Sequence, residues 1–154
     1  MERVRAVLRE HGLEEGLVTF PTSTATAALA AEAVGCELGQ IVKSLVFEVD
    51  GRPVLALVAG DRRGDAEAIA RESGGSGATM ADAGMVREAT GYAIGGVSPF
   101  GLPAGLPVLV DASLLRFEVV YPAAGTPSSA ARVPLPKLLA LVGGRLAPIS
   151  SSPV

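Results

Sequence analysis

The 154-residue chain fits one domain, and its formal net charge of -3 argues against a protein that coats a nucleic-acid backbone, because such binding draws on many Lys and Arg contacts to phosphate. Contact with one end of a nucleic acid needs only a few cations around a cleft and stays open. Hydrophobic residues at 49% against 19% charged support a buried core, and the single Cys36 leaves no intramolecular disulfide and no all-Cys metal site.

Residues 2–11 read as an amphipathic helix with Val4, Val7 and Leu8 on one face and Gly12 as its stop. A strand over 17–20 ends at Pro21, and a second helix is expected over 22–34, closed by Gly35. The run from Ile41 to Val49, the Asp50-Gly51 turn and the return from Pro53 to Ala59 form the clearest unit, a hairpin apolar enough to be buried on both faces. Asp65 caps a helix to Glu72, residues 73–77 are a connector, and a helix over 81–90 stops at Gly91. Strands are then expected near 92–94, over 108–110 and over 117–121, with a Gly/Pro loop over 95–107 between the first two. A turn at 123–127, a short strand around Arg132 and a helix over 134–142 complete the pattern. The expected architecture is α/β of the α+β kind, a mixed, largely antiparallel sheet or partly closed barrel flanked by helices. One domain over 1–146 and a frayed tail over 147–154 are expected. The opening residues carry no apolar signal core and no stretch reaches a membrane span, so the expected location is cytoplasmic and no membrane is involved.

Lys43 stands out because it lies in an otherwise apolar strand, where an ammonium is costly unless paired or bound to an anion. Of 13 basic residues only Lys43 and Lys137 are lysine, so a chain this biased toward Arg retains Lys where a compact charge is wanted. The alternative, a lysine whose stem carries its charge out to solvent, stays open. Gly95-Gly96-Val97-Ser98-Pro99-Phe100-Gly101 could aim backbone N–H groups at a carbonyl or oxyanion, or be a plain loop. Ala123-Ala124-Gly125-Thr126-Pro127 is a second tight backbone turn, or simply a hairpin connection. With His11 as the only histidine, a Ser-His-Asp triad cannot be built easily and the common His-rich metal sites are out of reach. Cys36 reads as a small filler. No Walker loop, GxGxxG after a strand or HExxH is present. An enzyme of this kind would work by positioning and electrostatics, with neither metal nor cofactor.

Residues 39–47 around Lys43, 91–101 around the glycine loop and 123–126, in that order and spacing, resemble the YbaK/prolyl-tRNA synthetase-associated domain family over about 19–142. The resemblance implies a freestanding editing hydrolase that cleaves the ester of mischarged aminoacyl-tRNA. It gives Lys43 the family's essential lysine and Gly95 to Pro99 the substrate loop. Gly125, with Thr126 beside it, falls in the third site segment, and Phe20, Thr22 and Thr24 in the side-chain pocket. The segment 20–26 is rich in hydroxyls and lacks the tyrosine or histidine of some members, which leans toward a small or hydroxylated side chain. The reaction so implied has Lys43 holding the acceptor end and the N–H groups of Gly96, Val97 and Ser98 stabilising the oxyanion, with Ser44 beside them on the substrate. The partners are the tRNA acceptor end, reached past Arg52, Arg62, Arg63 and Arg132, and an aminoacyl-tRNA synthetase as an open second partner. Two rivals remain at this point: a non-catalytic module that binds aminoacyl-tRNA or a synthetase, and a Lys43 Schiff-base enzyme.

Overall fold

A computed structural model describes residues 2–20 and 26–152. In chain order its elements are α1 (Glu2–Glu10), β1 (Leu17–Thr19), α2 (Ala27–Val34), β2 (Ile41–Val49), β3 (Arg52–Ala59) and β4 (Arg63–Gly64). They continue with α3 (Ala66–Glu72), β5 (Ala78–Met80), α4 (Ala83–Thr90), β6 (Val108–Asp111), β7 (Val119–Pro122) and β8 (Ser129–Ala131). The chain closes with β9 (Val133–Pro134), α5 (Leu135–Val142), β10 (Arg145–Ala147) and β11 (Ser150–Ser151).

The main sheet has the order β10-β6-β3-β2-β7-β9, with β5 added beside β2. It is mixed. β2 runs antiparallel to β3 and β5, β7 antiparallel to β9, and β6 lies parallel to both β3 and β10. The hairpin turns on Asp50 and Gly51 with φ of 50° and 84°, the pair of positive angles that a two-residue type I′ turn requires. Because side chains alternate along a strand, the hairpin feeds two cores. Val42, Val46, Leu55 and Leu57 join α1, α4 and α5 residues on one face, while Phe47, Val54, Ala56 and Val58 pack with Ile69 and Ile149 on the other. Val54 to Ala59 are buried on both faces, as a central strand demands.

Helix ends follow the sequence signals. Thr26, Asp65 and Asp82 each accept the backbone N–H three residues on, and Gly35, Gly91 and Gly143 close helices in the left-handed conformation. The second helix starts later than the expected 22–34, because Thr26 is extended (φ -130°, ψ 158°) and caps a helix that begins at Ala27; Thr22 and Thr24 lie outside the described residues.

Two expectations need correction. Residues 92–94 are not a strand: the Tyr92 N–H is taken by Thr90 Oγ1 (3.1 Å), Arg3 stacks on the Tyr92 ring at 4.2 Å, and the chain then turns with the Gly96 N–H on the Ala93 carbonyl. Nor do residues 147–151 fray. β10 runs parallel to β6, Ile149 is fully buried, and β11 pairs antiparallel with β4. Ile149 lends its side chain to the second core, and that anchors the segment around β11.

Candidate active site

β2 is flanked unevenly, and the unevenness makes the site. The Gly60 N–H donates to the Ile41 carbonyl (2.7 Å), so Ile41 and Gly60 are a hydrogen-bonded pair of the β2–β3 ladder. Hydrogen-bonded and non-bonded pairs alternate in an antiparallel ladder, so the odd-numbered residues of β2 bond β3 and the even-numbered ones turn their N–H and C=O the other way. On that other side Val42 meets β7, and the Val46 carbonyl receives the Ala81 N–H (3.0 Å) where β5 ends. Ser44 falls between. Its N–H and C=O find no partner among the described residues, and its Oγ is likewise buried and unpartnered.

The gap opens into a cavity of about 310 Å³. Ile41 to Val46 form one wall, Ala27 and Ala30 of α2 another, and Met80, Ala81 and Val86 a third. Ile94, Gly95 and Val97 come from the glycine loop, Tyr121 and Ala123 from the end of β7 and the turn after it, and Thr126, Pro127, Ser129 and Ala130 from that turn and β8. Of the site residues expected from sequence, Phe20, Lys43, Ser44, Gly95, Val97 and Thr126 line this cavity.

Others support it from behind. A Cβ on Gly96 would come within 3.0 Å of Thr126 Cα and 3.1 Å of the Gly125 carbonyl oxygen, so the glycine loop and the second turn touch backbone to backbone. Gly125 itself has φ 99°, a conformation that favours glycine. Ser98 and Pro99 are buried, with Ser98 Oγ accepting the Phe100 N–H (3.3 Å) and the Phe100 carbonyl receiving the Tyr92 hydroxyl. The expected oxyanion role of Gly96 needs correction, because its N–H is already committed to Ala93 O at 3.0 Å. Val97 and Ser98 N–H groups bond no described residue. Thr126 is paired too: its Oγ1 lies 2.8 Å from Ser129 Oγ. That leaves Ser44 Oγ as the buried hydroxyl without a partner among the described residues.

Lys43 points from the opposite face of β2, as alternation requires, and its ammonium donates to the Arg62 carbonyl. With Leu45 and Met80 it borders both the cavity and a second, more open hollow that carries Arg62 and Arg63. Burial pushes the Lys43 ammonium below the usual lysine range, the Asp61 carboxylate pulls it back up, and the Arg63 guanidinium pushes it down. The other two arginines expected along the approach lie elsewhere. Arg52 is six residues of strand from the Lys43 end of the hairpin, roughly 20 Å, and exposed Arg132 packs its Cβ near Gly16. Burial raises the Cys36 thiol, which disfavours its thiolate form.

The alanines of α2 and the three-residue β5 carried no sequence signal. Alanine is common throughout this chain, and residues 78–80 are too short for a period to be read.

The model of the aminoacyl-tRNA editing domain matches residues 22–141. The uncharacterized protein YwhH of Bacillus subtilis (strain 168) is 40% identical over 131 residues, covering 84% of this chain and 83% of that one. The multifunctional Ser/Thr-tRNA deacylase ProXp-y of Escherichia coli (strain K12) is 33% identical over 124 residues, 77% of this chain and 74% of its own. A crystal structure described as a candidate trans-editing enzyme for prolyl-tRNA synthetase superposes with a TM-score of 0.89 at 42% identity, covering 98% of this chain and 96% of that one.

Proposed function

The chain belongs to the aminoacyl-tRNA editing domain family, and on that premise we propose that it is a trans-acting deacylase that hydrolyses the ester of mischarged aminoacyl-tRNA, with serine or threonine as the preferred acyl group. The observation that carries this reading is the gap in the sheet at Ser44, open to the cavity and flanked by Lys43.

An aminoacyl ester is a short piece of backbone with an α-amino donor and a carbonyl acceptor. The Ser44 C=O and N–H, unpaired among the described residues, are complementary to that pair, in the way an open strand edge receives an extended peptide. A cavity of about 310 Å³ has roughly ten times the volume share of one liquid water, which suits a small aminoacyl group with part of its ribose. The unpartnered Ser44 Oγ is the group that would read a side-chain hydroxyl. The Escherichia coli relative, a Ser/Thr-tRNA deacylase, points the same way.

In the reaction, the Lys43 ammonium keeps one N–H on the Arg62 carbonyl and gives its others to the terminal phosphate or the ester end of the acceptor strand. The N–H groups of Val97 and Ser98, which bond no described residue, receive the developing oxyanion. Water attacks the carbonyl, helped by the neighbouring ribose hydroxyl of the substrate. Specificity follows the logic of a second sieve, which admits what fits.

The test is a deacylation panel of tRNA carrying Ser, Thr, Ala, Cys or Pro, with wild type and Lys43→Ala. Seryl and threonyl esters should be cleaved fastest. Loss of the charged contact should lower kcat/KM by about 10- to 150-fold. Equal rates with both proteins on every ester would overturn the reading.

A further inference from the structure

The closing strand holds the group on which the Lys43 ammonium rests. Asp111, buried at the end of β6, accepts three donors: the Ile149 N–H (3.1 Å), the Ser113 hydroxyl and the Ser150 hydroxyl (2.6 Å). A hydroxyl has one proton, so with that proton on Asp111 the Ser150 oxygen is left to accept. It does: Arg62 Nε donates to Ser150 Oγ at 2.7 Å, and an Arg62 terminal nitrogen donates to the Ser150 carbonyl at 3.3 Å. The next residue along, Arg63, pairs with Ser151. The residue before, Asp61, is gripped by both terminal nitrogens of Arg116 at 2.8 Å each. The Arg62 peptide is thus fixed on either side, and its carbonyl accepts the Lys43 ammonium.

Arg62 stands at a bend between β3 and β4 beside the open hollow, where a guanidinium would ordinarily turn to solvent. Here it folds back on the chain terminus instead. Holding a long side chain in one geometry costs entropy that a surface contact alone barely offsets. A function for the arrangement lies in what it aims.

We propose that Ser150 is a positioning residue for deacylation: the closing strand, oriented by Asp111, sets the Arg62 carbonyl that aims the Lys43 ammonium at the mouth of the cavity. This rests on the reading of Lys43 as the anchor of the acceptor end. It gives residues 149–151 a role in the reaction as well as in the fold.

The test compares Ser150→Ala with Ser150→Thr in the full chain. Two measurements are made: deacylation of seryl-tRNA, and carbon NMR of protein labelled at the lysine ε-carbon, which yields two signals because the chain has two lysines. Ser150→Ala should lower kcat/KM about tenfold, as loss of a hydrogen bond to a charged group would, and shift the Lys43 signal while that of Lys137 stays. Ser150→Thr, which keeps the hydroxyl, should restore both. A merely structural role would lower Tm without moving the Lys43 signal. Unchanged kinetics, an unmoved Lys43 signal, or a threonine variant as impaired as the alanine one would overturn the proposal. Full activity in Lys43→Ala would sink the anchor reading itself and the kinetic half with it, while the lysine spectrum still decides the mechanical half.

Discussion

Ser44→Ala should make the protein more stable and less able to deacylate hydroxylated esters. The substitution removes one oxygen that is buried and unpartnered among the described residues. Leaving such a group unsatisfied costs about 1–3 kcal/mol, and the low end applies here because Ser44 lies at a cavity where solvent can reach part of the residue. For a domain of this size each kcal/mol moves Tm by about 2–4 °C, so a rise of that order is expected from thermal denaturation. A core serine that merely packs would give the opposite sign, since removing a satisfied hydroxyl lowers Tm. On the functional side, a site that hydrogen-bonds a substrate hydroxyl discriminates strongly against the analogue without it. The ratio of seryl to alanyl deacylation should therefore shrink by about tenfold in the variant, the equivalent of one net hydrogen bond. A fall in Tm, or an unchanged seryl-to-alanyl ratio, would refute the argument.

Lys43→Met should lower kcat/KM by about 10- to 150-fold, as Lys43→Ala does, with Tm unchanged or raised. Burial depresses the folded-state lysine below its ordinary 10.5, so the buried charge costs the fold at neutral pH, and stability rises with pH only between the depressed value and 10.5. Titration of the lysine-labelled protein should give a Lys43 midpoint below 10.5; a midpoint at or above that value contradicts the site's electrostatics. Gly96→Ala drives a Cβ against the Thr126 backbone, which cannot swing aside, and should cost about 1–3 kcal/mol together with most of the activity. At Gly95 the nearest atom is Pro127 Cγ at 3.7 Å, so Gly95→Ala meets only the strain of its φ of 91°, about 1–2 kcal/mol; equal thermal and kinetic losses at the two positions would argue against backbone contact as the cause. Arg63→Ala, beside Lys43, should raise KM for tRNA several-fold and lift the Lys43 midpoint, whereas Arg52→Ala at the far end of the hairpin should do neither.

The hairpin, the Asp65 cap and the glycine stops were legible because each rests on local chemistry: Asp50-Gly51 selects its turn, and Asp65, Gly35 and Gly91 mark ends whatever surrounds them. Lys43 was legible by contrast with its apolar neighbours. What escaped depends on partners far away in sequence. Tyr92 carries strand propensity, yet Arg3 and Thr90 claim its ring and N–H. Residues 147–152, polar and short, read as an end until Ile149 meets the second core and Ser150 meets Asp111 across 39 positions. The Gly96 N–H was available in sequence and is spent on Ala93 in the fold.

Lys43 and Ser44 are adjacent, and adjacent strand residues point to opposite faces. In a strand paired on both edges, the two could not serve one ligand without the sheet passing between them. β7 leaves β2 after Val42 and β5 joins only near Val46, so at this one place the ligand can lie across the open edge, with the Ser44 hydroxyl and peptide groups on one side and the Lys43 ammonium coming round from the other. The geometry therefore makes a specific demand. A substitution that extends the β7 or β5 pairing across Ser44 would close the site while leaving both side chains intact. Deleting the gap in that way should abolish deacylation with no loss of Tm, an outcome that neither a purely electrostatic role for Lys43 nor a purely steric pocket predicts.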